Sequence, residues 1–308
     1  MSAVMWQAGD GRTRVSLAEL IALRSRVGRA RLAPLLSRAA RSGQQSSRLY
    51  GRGMDYAESR VYQAGDDVRR LDWRLTARSG KLHTKLFQED REGALLILLD
   101  THASMRFGTR VRFKSVQAAR VAASAAWYAA RAGERVGAMA FGQIDSLLRP
   151  LSGPRGALAV CGALAEWDAR PPIDRSESLV DALTRAHRLQ HGASRVLLIS
   201  DGFCAQASVR QRLLDLSRHA ALSVLVVADT LELAPVPPGR YPLEHAGARQ
   251  DVLLQSERQR QDFQRAIGAG PAQLGELAKA LGLRCGTIDT AADPIDAVVS
   301  VLGTRRSA

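Results

Sequence analysis

From residue 94 onward the chain alternates short, wholly apolar runs with stretches of helical periodicity, and this alternation restricts the fold more than any other feature. "GALLILLD" (93–100), "RVGAMAF" (135–141), "RVLLIS" (195–200) and "LSVLVVA" (222–228) read as strands, as do "IDSLLRPL" (144–151) and "LRCGTI" (283–288). Helical spacing covers 114–132, 156–165, 178–191, 208–219, 256–281 and 294–302. Strands without polar alternation are buried on both faces, which is the situation in a mainly parallel sheet covered by helices on each side. The link between 141 and 144 is too short for a crossover helix, so those two strands are expected as an antiparallel pair at one edge. The expected fold class is therefore α/β, a doubly wound, mainly parallel sheet with one antiparallel edge strand.

The N-terminal third has another texture. Residues 16–42 carry Leu17, Leu20, Ile21 and Leu23, then Leu32, Leu35 and Leu36 beyond Gly28, and read as two short basic amphipathic helices packed on the sheet. Residues 43–60 are polar and glycine-rich and read as loop or irregular strand. The expected division is a basic region over 1–93 and a sheet domain over 94–308.

The net charge is +14, and its density is highest early: residues 1–93 hold 18 Lys/Arg against 10 Asp/Glu, while 94–308 hold 26 against 20. Such a field attracts nucleic acid, an anionic membrane or an acidic protein face, although a solvated arginine-rich surface needs no partner. Cys161, Cys204 and Cys285 are odd in number and far apart, which supports neither a disulfide framework nor a zinc knuckle. With no signal-peptide pattern and no stretch of apolar residues long enough to span a bilayer, the expected location is the cytoplasm.

Open sheets of this class bind ligands beyond the carboxyl ends of their strands. Asp100 ends the first strand and Asp201 follows the fourth, so both carboxylates are expected at one rim. Aspartate at a strand end with small hydroxyl residues after it suits a hard divalent cation. Hydrogen bonding of the same carboxylates to loop amides is the alternative. "DTHAS" (100–104) resembles the D-x-S-x-S motif of von Willebrand factor A domains, and "SDG" (200–202) resembles the later aspartate of the same metal-ion-dependent adhesion site. The resemblance implies Asp100, Ser104 and Asp201 as metal-site residues, and a partner that supplies an acidic ligand. His102 stands where that family has its first serine, and "RSESLVDAL" (175–183) sets Glu177 where it has a threonine, with Ser176 and Ser178 on either side. Imidazole is a poor ligand for Mg²⁺ and a good one for Zn²⁺, Ni²⁺ or Cu²⁺, so the expected cofactor is Mg²⁺, a transition metal held through His102, or none.

The cluster "RVYQAGDDVRRLDWRLTARSGKLHTKLFQEDRE" (60–92) is more specific. It resembles the signature R-x-Y-x-x-G-D-x-x-R-x-I-D-W-x-x-x-A-R of the domain-of-unknown-function 58 family, with matches at Arg60, Tyr62, Gly65, Asp66, Arg69, Asp72, Trp73, Ala77 and Arg78, and Leu71 in place of isoleucine. The similarity extends from about residue 16 to 302. In physical terms Arg60, Asp66, Arg69, Asp72 and Arg78 are suited to an alternating ion-pair network, and Trp73 to an apolar anchor on which Arg69 stacks. The cluster, Tyr62 included, is expected to latch the N-terminal layer or to dock a partner.

Enzyme motifs are lacking. Asp100, His102 and Ser104 lie too close in one turn to converge as a triad, there is no G-x-S-x-G or P-loop, and "GAGPAQLG" (268–275) has no strand before it. A hydrolase is the less favoured class. Nucleic-acid binding has support from charge but not from motif. The family resemblance implies a non-enzymatic adaptor that works with a MoxR-type AAA+ ATPase and other von Willebrand A proteins in the assembly or maturation of a complex.

Overall fold

The computed structural model describes residues 9–28, 32–33, 54–63, 65–89, 93–171, 176–189, 195–206, 208–245 and 248–304. They belong to two compact units, Met1–Leu35 with Gly93–Ala308, and Leu36–Glu92. The first helix thus goes with the sheet domain, and the signature segment forms a unit of its own.

In chain order the elements are α1 (Leu17–Arg26), β1 (Met54–Val61), α2 (Trp73–Ser79), β2 (His83–Glu89), β3 (Ala94–Asp100), α3 (Lys114–Arg131), β4 (Arg135–Phe141), β5 (Ser146–Leu151), α4 (Gly153–Ala169) and α5 (Leu179–Leu189). They continue with β6 (Arg195–Ser200), α6 (Val209–His219), β7 (Ala221–Ala228), the single turn α7 (Thr230–Leu233), β8 (Gly239–His245), β9 (Ala248–Leu254), α8 (Glu257–Ile267), α9 (Ala269–Ala280), β10 (Arg284–Asp289) and α10 (Pro294–Leu302).

The larger unit is built on a six-stranded sheet of order β10-β7-β6-β3-β4-β5. All its pairings are parallel except β4–β5, so the edge strand is antiparallel as its short link requires. Because side chains alternate across a sheet, Leu95, Ile97 and Leu99 enter a core with α1, α3, α4 and α10, while Leu96 and Leu98 enter a second core with α5, α6 and α9. One strand therefore serves two cores, which is why its apolar run is unbroken. This is the doubly wound, mainly parallel architecture expected from the sequence.

Helix α3 is the central helix, buried along nearly its whole length by a surface of alanines that lets the sheet and its neighbours approach closely. Helix α1 lies against it. The Ser16 hydroxyl caps α1 by accepting from the Glu19 amide, Leu20 and Leu23 are buried, and Trp127 Nε1 donates to the Leu20 carbonyl at 3.0 Å. Glu19 meets Arg120 at 2.8 Å, and Arg24 lies over the Trp127 ring. The second basic helix expected after Gly28 falls outside the described residues, apart from Leu32 and Ala33.

Two segments depart from expectation. The region 256–281 is two helices, broken at Gly268, where a Cβ would stand 2.9 Å from the Glu232 carbonyl. Strands β8 (Gly239–His245) and β9 (Ala248–Leu254) pair antiparallel, and their charged alternation, with Pro242 inside a strand, resembles loop composition.

In the smaller unit, β1 and β2 pair antiparallel with an irregularity between Tyr56 and Glu58. The end of the segment read as loop or irregular strand is thus an irregular strand, and residues 43–53 lie outside the described residues. Gly65, at φ +107°, makes the turn expected of it. Among the described residues the expected ion-pair network shows one bond, Arg60 to Asp66 at 2.7 Å. Asp72 instead caps α2, accepting from the Leu75 amide at 3.0 Å and from the Ser59 hydroxyl at 2.8 Å, and these bonds hold its pKa below the usual carboxylate value. Among the described residues Arg69 and Arg78 join no ion pair. Trp73 is 67% exposed, so it anchors no core. Tyr62 pairs through its backbone with Leu82.

Leu20→Ala removes a fully buried side chain at the α1–α3 contact and is expected to cost about 2–5 kcal/mol. Urea denaturation should show this as a lower midpoint with an unchanged slope.

Candidate functional site

Four parallel strands end on aspartate at one rim: Asp100 closes β3, Asp201 follows β6, Asp229 follows β7 and Asp289 closes β10. Only the first two stand out in the sequence. The outer pair do structural work. Asp229 accepts from the Thr109 and Leu231 amides at 3.0 Å, and Asp289 accepts from the Ala291 and Ala292 amides at 2.7 Å.

Asp100 and Asp201 each use one oxygen in the same local way, accepting the amide two residues on: His102 at 2.9 Å and Phe203 at 3.2 Å. Their remaining contacts differ. Asp100, almost fully buried, also binds His102 Nδ1 at 2.6 Å through Oδ1, and through Oδ2 it accepts from the Ser200 hydroxyl at 2.6 Å and the Cys204 thiol at 3.2 Å. Burial opposes its ionisation, but the bond to His102, the imidazole charge and the Ser200 bond prevail and hold its pKa below the ordinary value. His102 mirrors this: burial would lower its pKa, and the bond to Asp100 with the charges of Asp100 and Asp201 raises it. Burial, then the Asp100 charge, push the Cys204 thiol far up, so it is a protonated donor.

Asp201 faces a different cation. The Lys114 ammonium, 1% exposed, donates to Asp201 Oδ2 at 2.9 Å and to Glu232 Oε1 at 2.6 Å, and it lies 5.5 and 5.3 Å from the centres of the Phe107 and Phe203 rings. A lysine opens α3 although positive charge at a helix N-terminus opposes the dipole, and no side chain caps that end. The two carboxylates account for it. Burial pushes Glu232 above the usual carboxylate range against the pull of Lys114.

Glycines permit the packing. At Gly142, φ +96°, a Cβ would come within 2.9 Å of His102 Nδ1; at Gly202, φ +85°, it would come within 2.2 Å of the Gly270 carbonyl. Gly268 and Gly270, set in a glycine pattern similar to a dinucleotide fingerprint, thus serve close approach of α9 to the rim. Glu177, from the middle loop, turns to Arg185 at 2.6 Å, and Ser178 bonds Asp181 at 2.8 Å.

Of the expected metal-site residues, the structure joins Asp100 to His102, sets Asp201 on Lys114, and leaves the Ser104 hydroxyl in the intervening turn without a hydrogen-bond partner among the described residues. These neighbours do not fit a hard, all-oxygen Mg²⁺ shell, because an ammonium holds Asp201 while imidazole and thiol hold Asp100. A group of another character is assembled instead: the donor atoms of Asp100, His102 and Cys204 lie within 4.8 Å of one another. Lys114, Glu232 and Cys204 escaped sequence reading. The only trace of Lys114 is a charge at the head of an apolar helical stripe.

The family model for "Protein of unknown function DUF58" matches residues 58–272, taking in the signature segment and most of the sheet domain. The chain belongs to this family. The DUF58 protein is 29% identical over 261 residues to an uncharacterized protein of Mycobacterium tuberculosis, covering 83% of this chain and 81% of that one. Among solved structures it is similar to an aerotolerance-related membrane protein from Bacteroides fragilis, with a TM-score of 0.44 and 16% identity over 68% of this chain and 96% of that one. The VWA domain of SpRpn10 aligns with a TM-score of 0.35 and 11% identity over 67% and 93%. Among the described residues no helix is long and apolar enough to cross a membrane.

Lys114→Met leaves two buried carboxylates without their cation and is expected to destabilise the protein by about 3–5 kcal/mol, measured by urea denaturation. The His102–Asp100 pair adds a pH signature. A raised histidine pKa contributes stability that is complete below the unfolded value near 6.5 and is lost as pH rises through the folded value. A lowered aspartate pKa contributes above 3.8 and is lost as pH falls through its folded value. The stability difference between wild type and His102→Gln is therefore expected to be greatest between those two pH values and to shrink on the alkaline side; denaturation midpoints across a pH series read it directly.

Proposed function

We propose that this DUF58 protein is a non-enzymatic interaction adaptor whose strand-end rim receives an acidic side chain of a partner, and that the partner is a MoxR-type AAA+ ATPase acting in the cytoplasm on the assembly or maturation of a complex. The von Willebrand A-like fold points to a protein-interaction role. The observation that carries the reading is the bonding at the rim. His102 Nδ1 is committed to Asp100, and the nearby Ser200 hydroxyl donates to the carboxylate rather than to the imidazole. A nucleophile activated by a base has the opposite arrangement. What remains is a part-exposed imidazole that Asp100 favours in its charged form, on a chain of net charge +14, which suits an anionic partner. A divalent cation at Asp100 would serve the same end by giving the partner's carboxylate a strong, directional contact.

The test is affinity capture with the full chain from extract of the organism that makes it, with bound proteins identified by mass spectrometry. An AAA+ ATPase is expected at stoichiometric yield, released by salt and reduced about tenfold or more by His102→Ala, a loss of about 1.4 kcal/mol or more. Absence of any such ATPase from the bound fraction refutes the assignment.

A further inference from the structure

We infer that Asp100, His102 and Cys204 form a site for a borderline-soft transition metal of the zinc class, with one coordination position left to solvent or to a partner's side chain. A nitrogen, a sulfur and a carboxylate oxygen already lie within 4.8 Å of one another, with both the imidazole and the thiol bonded to the same carboxylate at 2.6 and 3.2 Å. Tetrahedral zinc, with bonds of about 2.0–2.3 Å, sets its ligand atoms roughly 3.3–3.8 Å apart, so small side-chain movements open a seat for it. Three protein ligands and an open fourth position is the usual form of a zinc site that does more than brace a fold.

The surroundings resemble those of a metal centre. The Ser200 hydroxyl, which accepts the Gly202 amide at 3.0 Å, donates to the ligating carboxylate, and the His102 amide donates to its other oxygen at 2.9 Å. Such outer bonds fix ligand orientation. The Phe141 ring stands edge-on to His102 at 5.8 Å, and the glycine at 142 admits the imidazole where any side chain would exclude it. The two donors come from separate strand-end turns, one after β3 and one after β6, so the site is complete only in the folded sheet.

In the metal-free protein the imidazole and the thiol both bond Asp100; a dication entering between them takes the place of those hydrogens, the thiol proton passing to solvent and the Nδ1 proton to solvent or, in the neutral ring, to Nε2. Lys114 closes the adjoining carboxylates, Asp201 and Glu232, to the same ion. This site shares Asp100 and His102 with the docking proposal but requires no partner, so metal binding and ATPase capture test the two separately.

Cobalt(II) is the probe, because a cobalt–thiolate bond absorbs in the near ultraviolet. Titration of the metal-stripped full chain should produce that absorption with saturation at one equivalent, and zinc(II) should abolish it. Cys204→Ser should remove the thiolate band and weaken zinc binding by more than about 100-fold, beyond what loss of an outer-shell partner costs. His102→Ala should also weaken binding, while Cys285→Ser should leave the spectrum unchanged. Circular dichroism confirms that each variant is folded. A folded wild-type protein without the band, a band that survives Cys204→Ser, or cobalt displaced by excess Mg²⁺ overturns the proposal.

Discussion

A buried ammonium organises the rim. Lys114 brings together three segments distant in sequence: the start of α3, the turn after β6 through Asp201, and the α7 turn after β7 through Glu232. Removing a charge from water is costly, and this one is offset by two carboxylates at hydrogen-bond distance and two aromatic faces. One ammonium between two carboxylates leaves a surplus of negative charge. That surplus is felt twice: burial raises the Glu232 pKa with Asp201 adding to the effect, and Asp201 helps to favour the charged form of His102.

The rim is consequently divided. On the β6–β7 side the carboxylates are closed by lysine and by backbone caps. At the end of β3 the donors are imidazole, thiol and hydroxyl around Asp100, and the imidazole is part-exposed. A doubly wound parallel sheet places its strand ends in one row, but row position does not dictate chemistry. The residues just beyond each strand do, through what they offer the aspartate.

The signature unit illustrates how motif and bonding diverge. Its arginines and aspartates alternate as an ion-pair ladder would, yet among the described residues the ion pair seen is Asp66 with Arg60. Asp72 takes the helix cap because α2 begins at the next residue and its amides need an acceptor. Trp73, read from the sequence as an apolar anchor, occupies the first turn of a seven-residue helix and stands largely in solvent. Residue spacing identified the family here without fixing the contacts.

Much of the architecture was legible from the chain alone. Four apolar runs, two weaker strand patterns, the helices between them and the short link after Phe141 determine a parallel sheet with one antiparallel edge, because apolar periodicity records burial and so short a link leaves no room for a crossover. Asp100 and Asp201 at one rim follow from the same reasoning. The hairpin at 239–254 was hidden because its half-exposed, charged strands lack that record. The cluster around Asp100 and the Lys114 bridge were decided only by tertiary structure: Cys204 lies 104 residues from Asp100, and Lys114 lies 118 from Glu232. Which carboxylate meets a lysine and which meets a thiol depends on how turns from three strands fold over one another, and local sequence has no periodicity that encodes it.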